Sequence, residues 1–178
     1  MKKTCLIGIS WLLMHSLLAA NHQLSLSVPY QFIDYSINKH TLGVGIQYQI
    51  LLNENLAPGL NIEYSRGINS ETNAVPLNSI FIFKPTLHFY FKPDFNRFFF
   101  NIGFGYALIS ETATALPTSV YIPFNDQFLY SLGAGYQLPI KKIRLGLSTE
   151  VGGFFKPNNT APIALFFKGN ITVGYRLF

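Results

Sequence analysis

Eight segments of this chain alternate large apolar residues with small or polar ones, and that period of two constrains the fold more than any other feature. Successive side chains on a strand point to opposite faces, so each segment reads as a strand with one apolar face. Residues 97–109 are the clearest case. Phe98, Phe100, Ile102, Phe104, Tyr106 and Leu108 share one face, and Asn101, Gly103 and Gly105 share the other. The same alternation marks residues 23–32, 41–50, 59–67, 79–91, 127–138, 143–155 and 163–178. Most of these are long enough to cross a bilayer, which takes about 9–11 tilted residues.

The second face decides what the first one meets. It carries Gly43, Gly45, Gln47, Asn61, Ser131, Gly133, Gly135, Gly146 and Ser148, with few charges. A water-facing surface is normally rich in Lys and Glu. Only 12% of the whole chain is charged, about half of the ~25% usual in soluble domains. Small residues suit the inside of a narrow barrel, where eight strands leave little room. The large residues then face lipid. The rival is a soluble eight-stranded barrel with its apolar side inward, and the composition of the polar face speaks against it. The fold expected is all-β: an eight-stranded antiparallel up-and-down transmembrane β-barrel.

Two further patterns agree. Aromatics gather near the strand ends, with Tyr30, Tyr64, Tyr106 and Phe128 at one level and Tyr48, Phe89, Phe98, Tyr136 and Tyr175 at the other. Two such girdles mark the two interfaces of a membrane barrel. The connections after the second, fourth and sixth strands read as tight, and those after the odd strands as mostly longer. The longest would run over residues 110–126. With both termini in the periplasm, the odd connections face outward.

Residues 1–20 read as a secretory signal rather than as part of the fold. Lys2 and Lys3 precede an apolar run from Leu6 to Leu18, and Ala19–Ala20 offers a small-residue cleavage site. The run is short for a membrane helix, which needs about 20 apolar residues. An uncleaved anchor is the other reading. The barrel domain is then 21–178, with no cysteine for a disulfide or thiolate metal site. Removing Lys2 and Lys3 leaves 11 basic residues against 8 acidic ones, a net of +3. That is too mild for a nucleic-acid partner, and no basic stripe is present.

A few charges fall on the small-residue face. A hairpin centred on Asn159 puts Glu150 opposite Lys168, and one centred near Asn73 puts Glu63 opposite Lys84. His88, Arg144 and Arg176 also point inward. A lone charge in a low-dielectric interior is very costly, so pairing is expected. The plain reading is a structural network filling the lumen, and the sharper one is a proton or ion path. Pro85 removes a ladder donor within the fourth strand. A bulge there would exchange the faces of that strand's first half, because Ile80 and Ile82 are as apolar as Phe81 and Phe83.

Catalytic and cofactor signals are weak. A hydrolytic serine needs an activating base nearby, and lipid-hydrolysing barrels carry His-x-Ser on one strand face. Here the corresponding triplets begin at His22, His40 and His88, and none has Ser at the third position. No His, Asp and Glu cluster has metal-ligand spacing, and the Gly-x-Gly pairs sit inside strands. No cofactor and no enzymatic activity are expected. The segment after the fifth strand is unusually apolar. Leu116, Val120, Tyr121, Ile122 and Phe124 form a candidate binding patch, unless they pack over the barrel mouth or merely extend the strands.

The chain ends Ile171-Thr172-Val173-Gly174-Tyr175-Arg176-Leu177-Phe178. With the strand number and loop asymmetry, this ending resembles the small outer-membrane barrels of the OmpA, OmpX and opacity type. The resemblance covers Asn21 to Phe178. It implies export to the Gram-negative outer membrane. It also implies contact with membrane lipid and lipopolysaccharide, and reading of Tyr175 and Phe178 by the barrel-assembly machinery. In the family pattern the last Phe shares a face with the preceding apolar residues, whereas Phe178 is out of step by one. The function expected is a non-enzymatic surface barrel, structural or binding a host or surface ligand through its outer loops. A narrow solute channel and a lipid-modifying enzyme are the alternatives.

Overall fold

The computed structural model describes residues 21–35, 37–53, 55–68, 77–92, 96–113, 120–155 and 164–177. The signal segment 1–20 and Phe178 lie outside the described residues. All eight expected strands are present: β1 Asn21–Tyr35, β2 Ile37–Leu51, β3 Leu56–Ile68, β4 Leu77–Lys92, β5 Asn96–Ala113, β6 Val120–Ile140, β7 Ile143–Phe155 and β8 Ala164–Arg176. Each pairs antiparallel with its sequence neighbour, and β1 pairs with β8 to close the barrel. Closure satisfies the backbone ladder without an edge, as a hydrocarbon environment requires.

The faces fall as the alternation demands. Leu26, Val44, Phe98, Phe104 and Leu147 are each more than three-fifths exposed on the outside. Gln23, Ser25, Gln31, Thr41, Gln49 and Ser131 are buried within. The outward aromatics meet across strands: Phe98 and Tyr136 lie 4.9 Å apart at the end holding both chain termini. Tyr106 and Phe128 lie 5.7 Å apart toward the far end. Edge-to-face pairs of this kind add about 0.5–1.5 kcal/mol to area burial.

Three expectations need correction. Pro85 causes no bulge. It faces outward, and the register runs through it with Leu60 opposite Pro85 and Ile62 opposite Phe83. A proline whose ring faces the outside of the barrel displaces no lumen side chain. Phe81 and Phe83 therefore stay outside, with Ile80 and Ile82 inside. The β4–β5 register shifts lie elsewhere, between Leu77 and Ser79 and between Tyr90 and Lys92.

The connection after β1 is not long, since Tyr35 already pairs with Ile37. Nor are the described residues of 110–126, namely 110–113 and 120–126, a loop. β5 runs to Ala113 and β6 starts at Val120, with Thr112 opposite Tyr121 and Ala113 opposite Val120 beyond a shift between Ile109 and Glu111. Val120, Tyr121, Ile122 and Phe124, which helped make this segment look apolar, are strand residues.

Candidate functional site

The inward residues fill the lumen in layers. At mid-height sit four charges from four strands, Glu63 on β3, Lys84 on β4, Glu150 on β7 and Lys168 on β8, each at most 5% exposed. The β7–β8 register puts Glu150 opposite Lys168, with Nζ 2.9 Å from Oε2. The β3–β4 register differs from the expected one by two residues. Glu63 faces Ile82, and Lys84 faces Asn61. Lys84 instead reaches across the lumen to donate to Glu150 Oε2 and to Ser131 Oγ, the latter at 3.2 Å. Lys168 likewise crosses to Glu63, donating to Oε1 at 2.8 Å and to Oε2 at 3.1 Å. Asn61 Nδ2 adds a bond to Glu63 Oε1 at 2.5 Å. The result is one chain of alternating charge, Lys84–Glu150–Lys168–Glu63, with no net charge.

Glycine makes the room. A Cβ on Gly133 would stand 2.7 Å from Glu150 Cγ, and one on Gly103 would stand 2.8 Å from Lys84 Cδ. Any larger residue would have to displace the side chains that carry the ion pairs. The small residues of the inner face are thus shaped around the charges, not around an open pore.

Toward the termini end, His88 is buried against the Gln47 amide, 2.9 Å from Nε2, and its ring lies 5.2 Å from Phe99. Tyr90 donates to Gln49 Oε1 at 3.0 Å. Leu51, Ala57, Tyr90 and Phe99 form a small apolar floor. Between the ions and His88 is a cavity of about 20 Å³, room for about one water. Arg144 is buried near this end, and Arg176 donates to Asn21 Oδ1 at 2.6 Å.

Toward the far end the lumen is closed by Ile33, Ile80, Ile82, Ala107, Ile109, Leu129, Phe154, Ala164 and Phe166. Alternation alone misses this second core, because each of these residues has an apolar neighbour on at least one side. The signal is there as unbroken runs, Phe154–Phe155, Phe166–Phe167 and Ile80-Phe81-Ile82-Phe83, where both faces are apolar at once.

The expected patch divides. Leu116 lies outside the described residues, and Val120, Tyr121, Ile122 and Phe124 lie on β6 with their side chains outside the description. Tyr175 faces outward, and Phe178, the other residue of the expected assembly signal, is not among the described residues. Among the described residues, the far end carries two basic residues (Lys39, Arg66) against three acidic ones (Asp34, Glu111, Asp126).

No family model matches the sequence, and no curated protein does. Solved structures do match. Ail, the attachment invasion locus protein of Yersinia pestis, superposes with a TM-score of 0.62 at 12% identity, covering 89% of this chain and 99% of that one. This chain has the fold of the small eight-stranded outer-membrane barrels. Neisserial surface protein A matches with a TM-score of 0.56 at 10% identity, over 87% of this chain and 95% of that one. The N-terminal β-barrel domain of Pseudomonas aeruginosa OprF gives 0.55 at 9% identity, over 89% and 99%. So little identity over so much of each chain means that the architecture is shared, not the residues of any site.

Proposed function

We propose that this protein is a non-catalytic barrel of the Gram-negative outer membrane that presents its far end at the cell surface. The carrying observation is the closed belt of outward apolar side chains around a filled, charge-paired lumen. Apolar surface on that scale is stable only against lipid. Fractionation of expressing cells, followed by electrophoresis with and without boiling, tests it. The expected result is an outer-membrane band whose mobility shifts on boiling. A periplasmic band with no shift would refute the reading.

The layered lumen supports this function over a channel, since apolar side chains fill it at the far end and eight strands normally enclose packed residues. His88 supports it over a lipid hydrolase, because the ring is buried in the lumen, away from the lipid-facing surface.

A binding role is favoured by the β5–β6 hairpin. β6 has 21 residues, about twice what a crossing takes. The stretch before Gln127 adds on the order of 20 Å at the usual strand rise, and it holds Val120, Tyr121, Ile122 and Phe124. Ail has been solved with the heparin analogue sucrose octasulfate. The far end here, with more acids than bases, does not suit a polyanion, and its apolar strand tip suits a protein surface. Removing residues 112–121 deletes the paired tip in register. Adherence of expressing bacteria to cultured host cells should then fall to the level of the empty strain, with the boiling shift retained. Unchanged adherence would exclude this hairpin as the binding element.

A further inference from the structure

The barrel's positive excess sits at one rim. The mid-height cluster holds two charges of each sign, and the described residues of the far end lean acidic. Among the described residues, Lys92, Arg97, Lys141, Lys142, Arg144 and Arg176 all belong to the termini end.

The β6–β7 turn brings this charge to the lipid-facing surface. Ile140 pairs with Ile143, so the turn consists of Lys141 and Lys142 alone, both exposed. Leu138, Ile140, Ile143 and Leu145 flank it on the outside, each between 42% and 47% exposed. Lys141 has a φ of 57° and is the one non-glycine residue with positive φ among the described residues. Glycine or asparagine is the usual occupant of such a turn position, because a Cβ crowds the following carbonyl there. Arg144 secures the turn from within, Nη1 donating to the carbonyls of Lys141 at 2.7 Å and Ile143 at 3.2 Å. A lysine thus stands where glycine would be less strained, tied down by a buried arginine. A backbone outlier of this kind points to a use for its side chain.

We infer that Lys141 and Lys142 form a contact site for the phosphate of anionic phospholipid headgroups in the leaflet at the termini end. This rests on the bilayer reading above. The ammonium groups leave the fold beside lipid-facing isoleucines, at the level where headgroup phosphates lie. An ammonium is a compact charge suited to phosphate. The apolar flanks favour lipid over the cell-wall polymer, whose recognition needs charges held clear of the membrane. Near an anionic surface each lysine contributes about fivefold to association, so the pair gives a preference on the order of twentyfold at low salt.

The test uses the full barrel reconstituted in phosphatidylcholine vesicles. Spin-labelled phosphatidylglycerol and spin-labelled phosphatidylcholine are compared for motional restriction at the protein surface. The wild type should prefer phosphatidylglycerol, and added salt should weaken the preference. The double variant Lys141→Gln with Lys142→Gln should lose most of it. Lys141→Gly relieves the backbone strain, removes one charge and should lose about half in logarithmic terms. No preference in the wild type, or full preference in the double variant, would overturn the site. So would binding of purified cell-wall sacculi that depends on both lysines without any lipid preference. Failure to enter vesicles at all would instead refute the bilayer reading.

Discussion

Glu150→Ala should destabilise the folded barrel by about 3–5 kcal/mol, the usual penalty for stranding a buried charge. The choice of second substitution decides whether that loss is recovered. In the described ion pairs Lys84 has Glu150 as its carboxylate, whereas Lys168 is shared between Glu150 and Glu63. Removing Glu150 therefore strands Lys84 and leaves Lys168 with a partner. Glu150→Ala with Lys84→Met should regain most of the lost stability, since it deletes a whole pair and leaves Lys168–Glu63 intact. Glu150→Ala with Lys168→Met should be worse than the single change, because it orphans Lys84 and Glu63 together. Urea midpoints from the boiling-sensitive gel shift would rank the three variants. Equal midpoints for the two double variants would show that the cross-lumen pairs do not govern stability.

The second large effect concerns the outside. Leu132 is 57% exposed, midway along β6 between Phe128 and Tyr136 of the two aromatic levels. If that face lies in hydrocarbon, Leu132→Arg should cost about 2–4 kcal/mol in lipid vesicles, the value for a cation at the bilayer midplane. On a water-facing surface the same change would stay within about 0.5 kcal/mol. Equilibrium unfolding by urea in vesicles separates the two. A neutral outcome would mean that the apolar belt is not what holds the barrel in the membrane.

Which parts of this molecule could be read from the chain follows from what sequence spacing encodes. Period-two alternation fixes which face a residue takes, and so Leu24 to Tyr30 and Phe98 to Phe104 fall outside as expected. A hairpin's centre fixes the register of two neighbouring strands, and the centre at Asn159 correctly puts Glu150 opposite Lys168. The β3–β4 hairpin is centred one residue earlier than expected. Both of its arms then slide, so Glu63 meets Ile82. Contacts across the lumen depend on the tilt and stagger of all eight strands. No local pattern carries that information, and Lys84 finding Glu150 lay beyond reach. The far-end apolar layer was hidden for another reason: where both faces are apolar, alternation has no contrast to show.

The placement of the four lumen charges has a consequence for how the chain matures. Glu63 and Lys84 belong to the first four strands, and their ionic partners Lys168 and Glu150 belong to the last four. Neighbouring hairpins can zip by backbone pairing alone, yet the N-terminal half holds an acid and a base in its concave face without their cross-lumen partners until the C-terminal half curls over it. These two ion pairs are therefore a property of the completed circle, and an arrested half-barrel lacks both of them.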